Sequence, residues 1–174
     1  MAVNGNLNKI DKVAINGNLN KINKVSINAG RISVISEKVR LPLSKIKIER
    51  IAEKISSLLK EKNAEVCIFF VNDAKMRRMN LKYRGIDRPT DCLAFPMREG
   101  AGGKLHREIL GDIVISVDTA RKNSRYFDST VKKEISLYII HGMLHLLGFK
   151  DTAASARKKM RRMEGELLKR LGGW

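Results

Sequence analysis

The sequence predicts an α+β fold in which helices pack on a mixed four-stranded sheet. Four short segments are rich in β-branched and aromatic residues, as strands are. Five other segments are predicted to be helical: two of them repeat apolar residues at helical spacing, and a third is apolar almost all round. The two kinds of segment do not alternate strictly, which favours α+β over a regular α/β architecture. We expect the all-apolar helix to be buried at the centre.

The first half of the predicted domain contains two strands and two helices. Residues 31–36 alternate as a strand should, and Pro42 with Ser44 introduces an amphipathic helix. Glu65–Val71 is a largely apolar run that fits a central strand covered on both faces. Residues 73–84 are again helical in pattern.

The second half adds two strands and three helices. The strand candidates, 90–97 and 109–117, are separated by a glycine-rich loop at 98–104, and a short helix is expected at 119–126. The all-apolar helix follows at 132–147.

Capping residues and spacing define the last two helices. Asp128, Ser129 or Thr130 can cap the start of the apolar helix, and Gly148 is placed to end it. The final helix is amphipathic. Its predicted inward residues are Ala156, Met160, Met163, Leu167 and Leu171.

Length and composition indicate one globular domain with an N-terminal arm. The chain has 174 residues, 43% hydrophobic and 30% charged. Within residues 1–30, AVNGNLNKIDKV is followed directly by the near-duplicate AINGNLNKINKV. Their Asn, Gly and Lys content predicts a disordered arm. Residues 31–174 are then a single domain.

The charge balance predicts a polyanionic partner. The chain has 35 Lys and Arg against 18 Asp and Glu, a net charge of +17, which suits nucleic acid or an anionic membrane; a simple role in solubility is the alternative. No secretory signal or membrane-length apolar run is visible, and Cys67 and Cys92 lack CxxC spacing. We expect a cytoplasmic protein without a membrane partner.

Two of the three histidines, His141 and His145, lie four residues apart in the apolar helix. Side chains at this spacing share one face and can direct their ring nitrogens at one point. A shared metal would satisfy both buried imidazoles. The alternative is two core histidines that are hydrogen-bonded to backbone carbonyls.

A catalytic zinc usually has three protein ligands and one open position. Asp151 lies just beyond the expected helix end and can complete the set; the rivals are His106 and Asp112. A zinc peptidase would place its general base directly after the first histidine, where this chain has Gly142. That glycine makes room for a close neighbour or for substrate, or it is merely tolerated.

Three sequence blocks resemble the YbeY family of metal-dependent endoribonucleases. HGMLHLLGFKD is similar to the family signature HGxLHLxGYDH, LKYRGIDRPTDCLAFP to the YRxxDxPTDVLSFP block, and LGDIVIS is shared. The resemblance covers Val66 to about Met160. It implies that His141 and His145 bind one Zn²⁺ per chain, and that Asp151 stands where the family has a third histidine.

The resemblance also implies a function. Arg84 matches the functional arginine of the family, and its guanidinium suits a scissile phosphate; its alternative is an ion pair with Asp87 or Asp91. The implied activity is cleavage of single-stranded RNA in ribosomal RNA processing, at the 3′ end of the small-subunit RNA, and in ribosome quality control. The partners are then RNA and ribosomal particles. No oligomeric state is predicted.

Basic residues on two helices are candidates to hold the RNA backbone in a salt-dependent, sequence-blind manner. Each could equally belong to an ordinary solvated helix face. They are Arg77, Arg78, Lys82, Arg157, Lys158, Arg161 and Arg162. A non-catalytic RNA-binding assembly factor with a structural metal is the alternative function, and a metallopeptidase is the third.

Overall fold

The computed structural model describes residues 31–98 and 108–172. The predicted arm at 1–30 lies outside the described residues, as do His106 and all of the predicted loop except Arg98. The boundary at residue 31 therefore stays a prediction.

The described residues form four strands and five helices, as the sequence predicts. In chain order they are β1 (Ile32–Ser36), α1 (Lys45–Leu58), β2 (Glu65–Val71), α2 (Asp73–Arg84), β3 (Cys92–Pro96), β4 (Ile109–Ser116), α3 (Val117–Tyr126), α4 (Val131–Leu146) and α5 (Ala154–Leu171).

The strands form one mixed sheet in the order β1-β2-β4-β3. β1 and β4 run parallel to β2, and β3 is antiparallel to β4. Ile113 of β4 is in register with Ile68 of β2 and Ala94 of β3. The predicted mixed four-stranded sheet is confirmed.

Helices cover both faces of the sheet because apolar side chains alternate along its central strands. On one face, α1, α4 and α5 pack over a core that includes Ile68, Ile113 and Ile115. On the other face, Met76 and Met79 of α2 pack with a smaller cluster. The strand residues of that cluster are Val71, Leu93, Phe95 and Val114.

The ends of α4 are set by local hydrogen bonds. Of the three predicted caps, Thr130 is the one used, because its Oγ1 accepts a hydrogen bond from the backbone N–H of Lys133 at 3.1 Å. After Leu146 the chain turns through Gly148, whose φ of +84° suits a residue without Cβ. The turn reverses the chain toward Asp151.

A glycine brings α4 unusually close to β4. A Cβ built on Gly142 would lie 2.7 Å from Cγ2 of Ile113. Of the predicted explanations for Gly142, the close neighbour is the one the structure shows.

Among the helices of the described residues, none combines the length and apolar character that a membrane span requires. The two cysteines are free thiols, with Cys92 buried and Cys67 half-buried.

Candidate metal centre

Helix α4 brings His141 and His145 together as their spacing predicts. Their Nε2 atoms are 3.1 Å apart. The ring centroids are 4.5 Å apart, and the ring planes are perpendicular. Both rings therefore direct the same nitrogen at one point.

His145 is fixed by the backbone just beyond its own helix. Its side chain is fully buried, and Nδ1 lies 2.8 Å from the carbonyl oxygen of Phe149. A carbonyl oxygen only accepts hydrogen bonds, so Nδ1 carries the proton and Nε2 presents a lone pair. Burial lowers the pKa of His145 to about 4 because it penalises the charged ring. The ring is neutral at physiological pH, as a metal ligand must be.

His141 is fixed by a different helix. Its Nδ1 lies 2.6 Å from Oε1 of Glu164 on α5. A carboxylate is also an acceptor, so Nδ1–H donates and Nε2 of His141 again presents a lone pair. Carboxylates commonly hold metal-binding histidines in this way.

Glu164 belongs to this candidate site but is not among the site residues that the sequence predicts. A signal was present: Glu164 is four residues after Met160 and three before Leu167, both buried on the inward face of α5. A half-buried carboxylate on that face needs a partner. Its partner could be named only once the packing of α5 on α4 was known.

Asp151 completes a group of three. One ligand atom from each of His141, His145 and Asp151 can be chosen so that all lie within 4.8 Å of one another. Oδ2 of Asp151 is 3.9 Å from Nε2 of His145. The side chains of His141 and Asp151 are 21% and 24% exposed, so the group is open to solvent on one side.

The nitrogens of this group fit a metal ion. Two lone pairs that face each other at 3.1 Å repel unless a cation or a proton lies between them. Tetrahedral coordination with Zn–N bonds of about 2.0–2.1 Å would separate two ligand nitrogens by about 3.3 Å. The observed spacing is close to that value, and the carboxylate of Asp151 supplies an oxygen donor of the kind zinc accepts.

Asp112 and His106 are the two predicted alternatives to Asp151 as the third ligand. Asp112 alternates with Ile113 on β4, and its side chain therefore lies on the face of the sheet opposite α4. Burial raises the pKa of Asp112 to about 6. His106 lies outside the described residues.

Arg84 ends α2 and lies near the edge strand β3. The pKa of the buried Cys92 thiol is raised mainly by burial, then by Asp91 and Glu164, and it is lowered by Arg84. Arg84 and Glu164 therefore both lie within electrostatic range of one side chain of β3. Asp87, one of the two predicted ion-pair partners of Arg84, accepts two hydrogen bonds of 2.7 Å from Arg77.

The candidate RNA-binding residues have varied surroundings. Arg157 donates to the backbone carbonyls of Asp151 and Thr152, and Arg162 lies 3.6 Å from Glu166. All seven residues of the set are exposed: Arg77, Arg78, Lys82, Arg157, Lys158, Arg161 and Arg162. Their role with RNA stays a prediction.

Comparison with known proteins places these features in a family context. The family model described as Endoribonuclease YbeY matches residues 32–172. A relative named Endoribonuclease YbeY from Aquifex aeolicus is 40% identical over 128 residues, covering 73% of this chain and 83% of the relative. One from Pelotomaculum thermopropionicum is 44% identical over 111 residues, covering 62% and 72%. The solution structure of TM1509 from Thermotoga maritima aligns with a TM-score of 0.53 at 27% identity, covering 80% of this chain and 90% of that one.

Proposed function

The chain belongs to the YbeY family of endoribonucleases, and we propose that it cleaves single-stranded RNA during ribosomal RNA processing at a metal held by His141, His145 and Asp151. Membership supports the RNA-cleaving activity. The finer parts of the proposal are maturation of the 3′ end of the small-subunit RNA, ribosome quality control, and binding to ribosomal particles. One Zn²⁺ per chain is the proposed ion.

The observation that carries the metal site is the convergence of two imidazole lone pairs. In each histidine, Nδ1 makes a hydrogen bond to an oxygen, and the two Nε2 atoms face each other at 3.1 Å. A pair of ordinary core histidines would direct these nitrogens at separate acceptors.

The site residues divide the work of binding and positioning. His141, His145 and Asp151 would hold the ion, and the solvent-open side of the group leaves access for a phosphodiester. A divalent ion bound there supplies Lewis acidity, polarising a phosphate oxygen and lowering the pKa of water. Arg84 pairs with phosphate oxygens and offsets the negative charge that develops on them. Exposed cations on α2 and α5 hold the backbone on either side.

The aspartate at position 151 changes the donor set of the site. A carboxylate is a harder and more anionic ligand than imidazole, so the site has two nitrogens and one oxygen. It remains suited to zinc and is more tolerant of harder divalent ions than three histidines would be.

The aspartate at position 151 also favours a second candidate function, that of an RNA-binding assembly factor whose metal is structural. A divergent third ligand is more easily tolerated where the ion only holds the loop after α4. The peptidase alternative has no support at position 142, where a side chain would collide with Ile113.

The test combines metal analysis with RNA cleavage. Wild type and His145→Ala are compared for bound metal and for cleavage of an unstructured RNA, with and without a chelator. We expect stoichiometric metal and chelator-sensitive cleavage in wild type, and loss of both in the variant. Equal metal content in the two proteins would exclude this ligand set. Stoichiometric metal without cleavage would support the assembly factor. Circular dichroism establishes that the variant is folded.

A further inference from the structure

Helix α5 contributes none of the three candidate ligands, yet it contacts two of them. We propose that α5 is the element that orients the metal site, with Glu164 positioning the ring of His141 and Arg157 positioning the backbone that carries Asp151. This inference rests on the proposed metal site. It assigns α5 a role in metal affinity in addition to the RNA contacts predicted for its basic residues.

The bond from His141 to Glu164 is short and partly shielded from water. The distance is 2.6 Å, and the two side chains are 21% and 14% exposed. A hydrogen bond to a carboxylate in such surroundings is stronger than a neutral, exposed one. Without it, the imidazole could rotate by half a turn and replace Nε2 with a carbon at the shared point. Glu164 thus selects both the ring orientation and the tautomer that binding requires.

Glu164 acts through His141 and is not itself placed to bind the ion. Its carboxylate lies on the Nδ1 side of the imidazole, while the shared point lies on the Nε2 side. Among the described residues, the side chains that could share one ion are His141, His145 and Asp151, and Glu164 is not one of them.

Arg157 holds the segment between α4 and α5. Its Nη1 donates to the carbonyl oxygens of Asp151 and Thr152 at 3.1 and 2.6 Å. The N-cap of α5, Ala153, has no side-chain hydrogen bond to stabilise this turn. The two hydrogen bonds from the guanidinium therefore restrain the backbone from which the carboxylate of Asp151 extends. Because these bonds are exposed, the effect of Arg157 is smaller than that of Glu164.

The remaining ligand needs no support from α5. His145 is buried and is held by the Phe149 carbonyl, which follows on the same stretch of chain. Meanwhile α5 is anchored away from the site by its buried Leu167 and Leu171, and by a 2.8 Å hydrogen bond from Lys54 to the Leu171 carbonyl. A helix docked in this way can hold the two more exposed ligands, His141 and Asp151, in fixed positions.

The experiment measures metal affinity in the full chain by titrating the metal-free protein with Co²⁺, using its visible absorption. The proteins are wild type, Glu164→Ala, Glu164→Gln and Arg157→Ala. The control is Glu166→Gln, an exposed residue of the same helix that faces Arg162. Thermal melts of the metal-free proteins verify that each is folded.

We expect Glu164→Ala to weaken Co²⁺ binding by about 10- to 100-fold and to alter the absorption bands, as loss of an orienting partner does. Glu164→Gln should recover part of the affinity because its amide oxygen still accepts from Nδ1–H. Arg157→Ala should weaken binding by less, and Glu166→Gln should leave it unchanged.

Two outcomes would overturn the inference while leaving the site intact. The first is a Glu164→Ala protein with the affinity and spectrum of wild type. The second concerns Arg157 alone: unchanged Co²⁺ affinity of Arg157→Ala would show that this arginine does not position the site. A reduced salt dependence of RNA binding in the same variant would make Arg157 a phosphate contact. A wild-type protein that binds no Co²⁺ would overturn the proposed metal site itself, together with this inference.

Discussion

Nε2 of His141 and Nε2 of His145 face each other at 3.1 Å, while Nδ1 of each ring is bonded to an oxygen from another part of the chain. Glu164 on α5 and the carbonyl of Phe149 remove the freedom of the two rings to turn elsewhere. A neighbouring carboxylate, Asp151, gives the pair a third donor. The chemistry proposed for this protein depends on that arrangement.

Replacing the third ligand tests the role of Asp151. Asp151→His restores the donor type of the family signature, and we expect zinc affinity to be kept or raised. Asp151→Ala removes the oxygen donor and should weaken binding. Competition with a chromophoric chelator measures both. If Asp151→Ala binds zinc as tightly as wild type, another residue such as His106 completes the site.

Removing Arg84 should slow cleavage without releasing metal. Loss of one donor to transition-state charge lowers kcat by about 10²–10³-fold. We therefore expect Arg84→Ala to cleave RNA slowly while its metal content stays at the wild-type level. Arg50→Ala, which removes an exposed arginine of α1 that is outside the candidate RNA-binding set, is the matched control. Parallel loss of metal and activity in Arg84→Ala would instead make this arginine part of the fold of the site.

Packing of α4 on β4 should be sensitive to one added methyl group. Gly142→Ala would place Cβ 2.7 Å from Ile113. Overpacking costs about 1–3 kcal/mol, which outweighs the gain of about 1 kcal/mol from replacing glycine by alanine in a helix. Urea unfolding should show a net loss of stability.

The partner of that methyl group can be checked by a double-mutant cycle. In Ile113→Ala the close atoms are gone, so adding Gly142→Ala to it should cost less than in wild type. Equal costs in the two backgrounds would show that the predicted collision is relieved elsewhere.

Asp112 should make stability depend on pH. Burial raises its folded pKa from 3.8 to about 6, so between these values the native state holds a proton that the unfolded chain has lost. The free energy of unfolding therefore falls as pH rises from about 4 to about 6, and the penalty is complete above that range.

Asp112→Asn removes this penalty. The variant should be more stable than wild type at pH 8, by up to about 3 kcal/mol, and the difference should vanish near pH 3. Denaturant unfolding at both values measures it. A difference that is independent of pH would contradict the raised pKa.

Much of the fold follows from local sequence patterns. The alternation in 31–36, the apolar run in β2 and the helical spacing in α5 each depend on residues within one element, so all nine elements were predicted. The choice of Thr130 over Asp128 and Ser129 as the cap was not, because neighbouring polar residues offer equivalent oxygens to the same helix end.

The residues of the candidate site also differ in whether the local sequence predicts them. His141, His145 and Asp151 lie within eleven consecutive residues, so helical spacing and one turn bring them together. Glu164 and Arg157 depend on how α5 docks, which local patterns do not specify. The position of Asp112 depends on which face of β4 meets α4, and that too is decided by long-range packing.

X-ray absorption at the metal edge of the zinc-loaded protein tests the central claim most directly. We predict two imidazole nitrogens at about 2.0–2.1 Å with oxygen completing the shell, and a weaker imidazole signal in His145→Ala. A shell without imidazole scattering, or one with sulfur at about 2.3 Å, would contradict it.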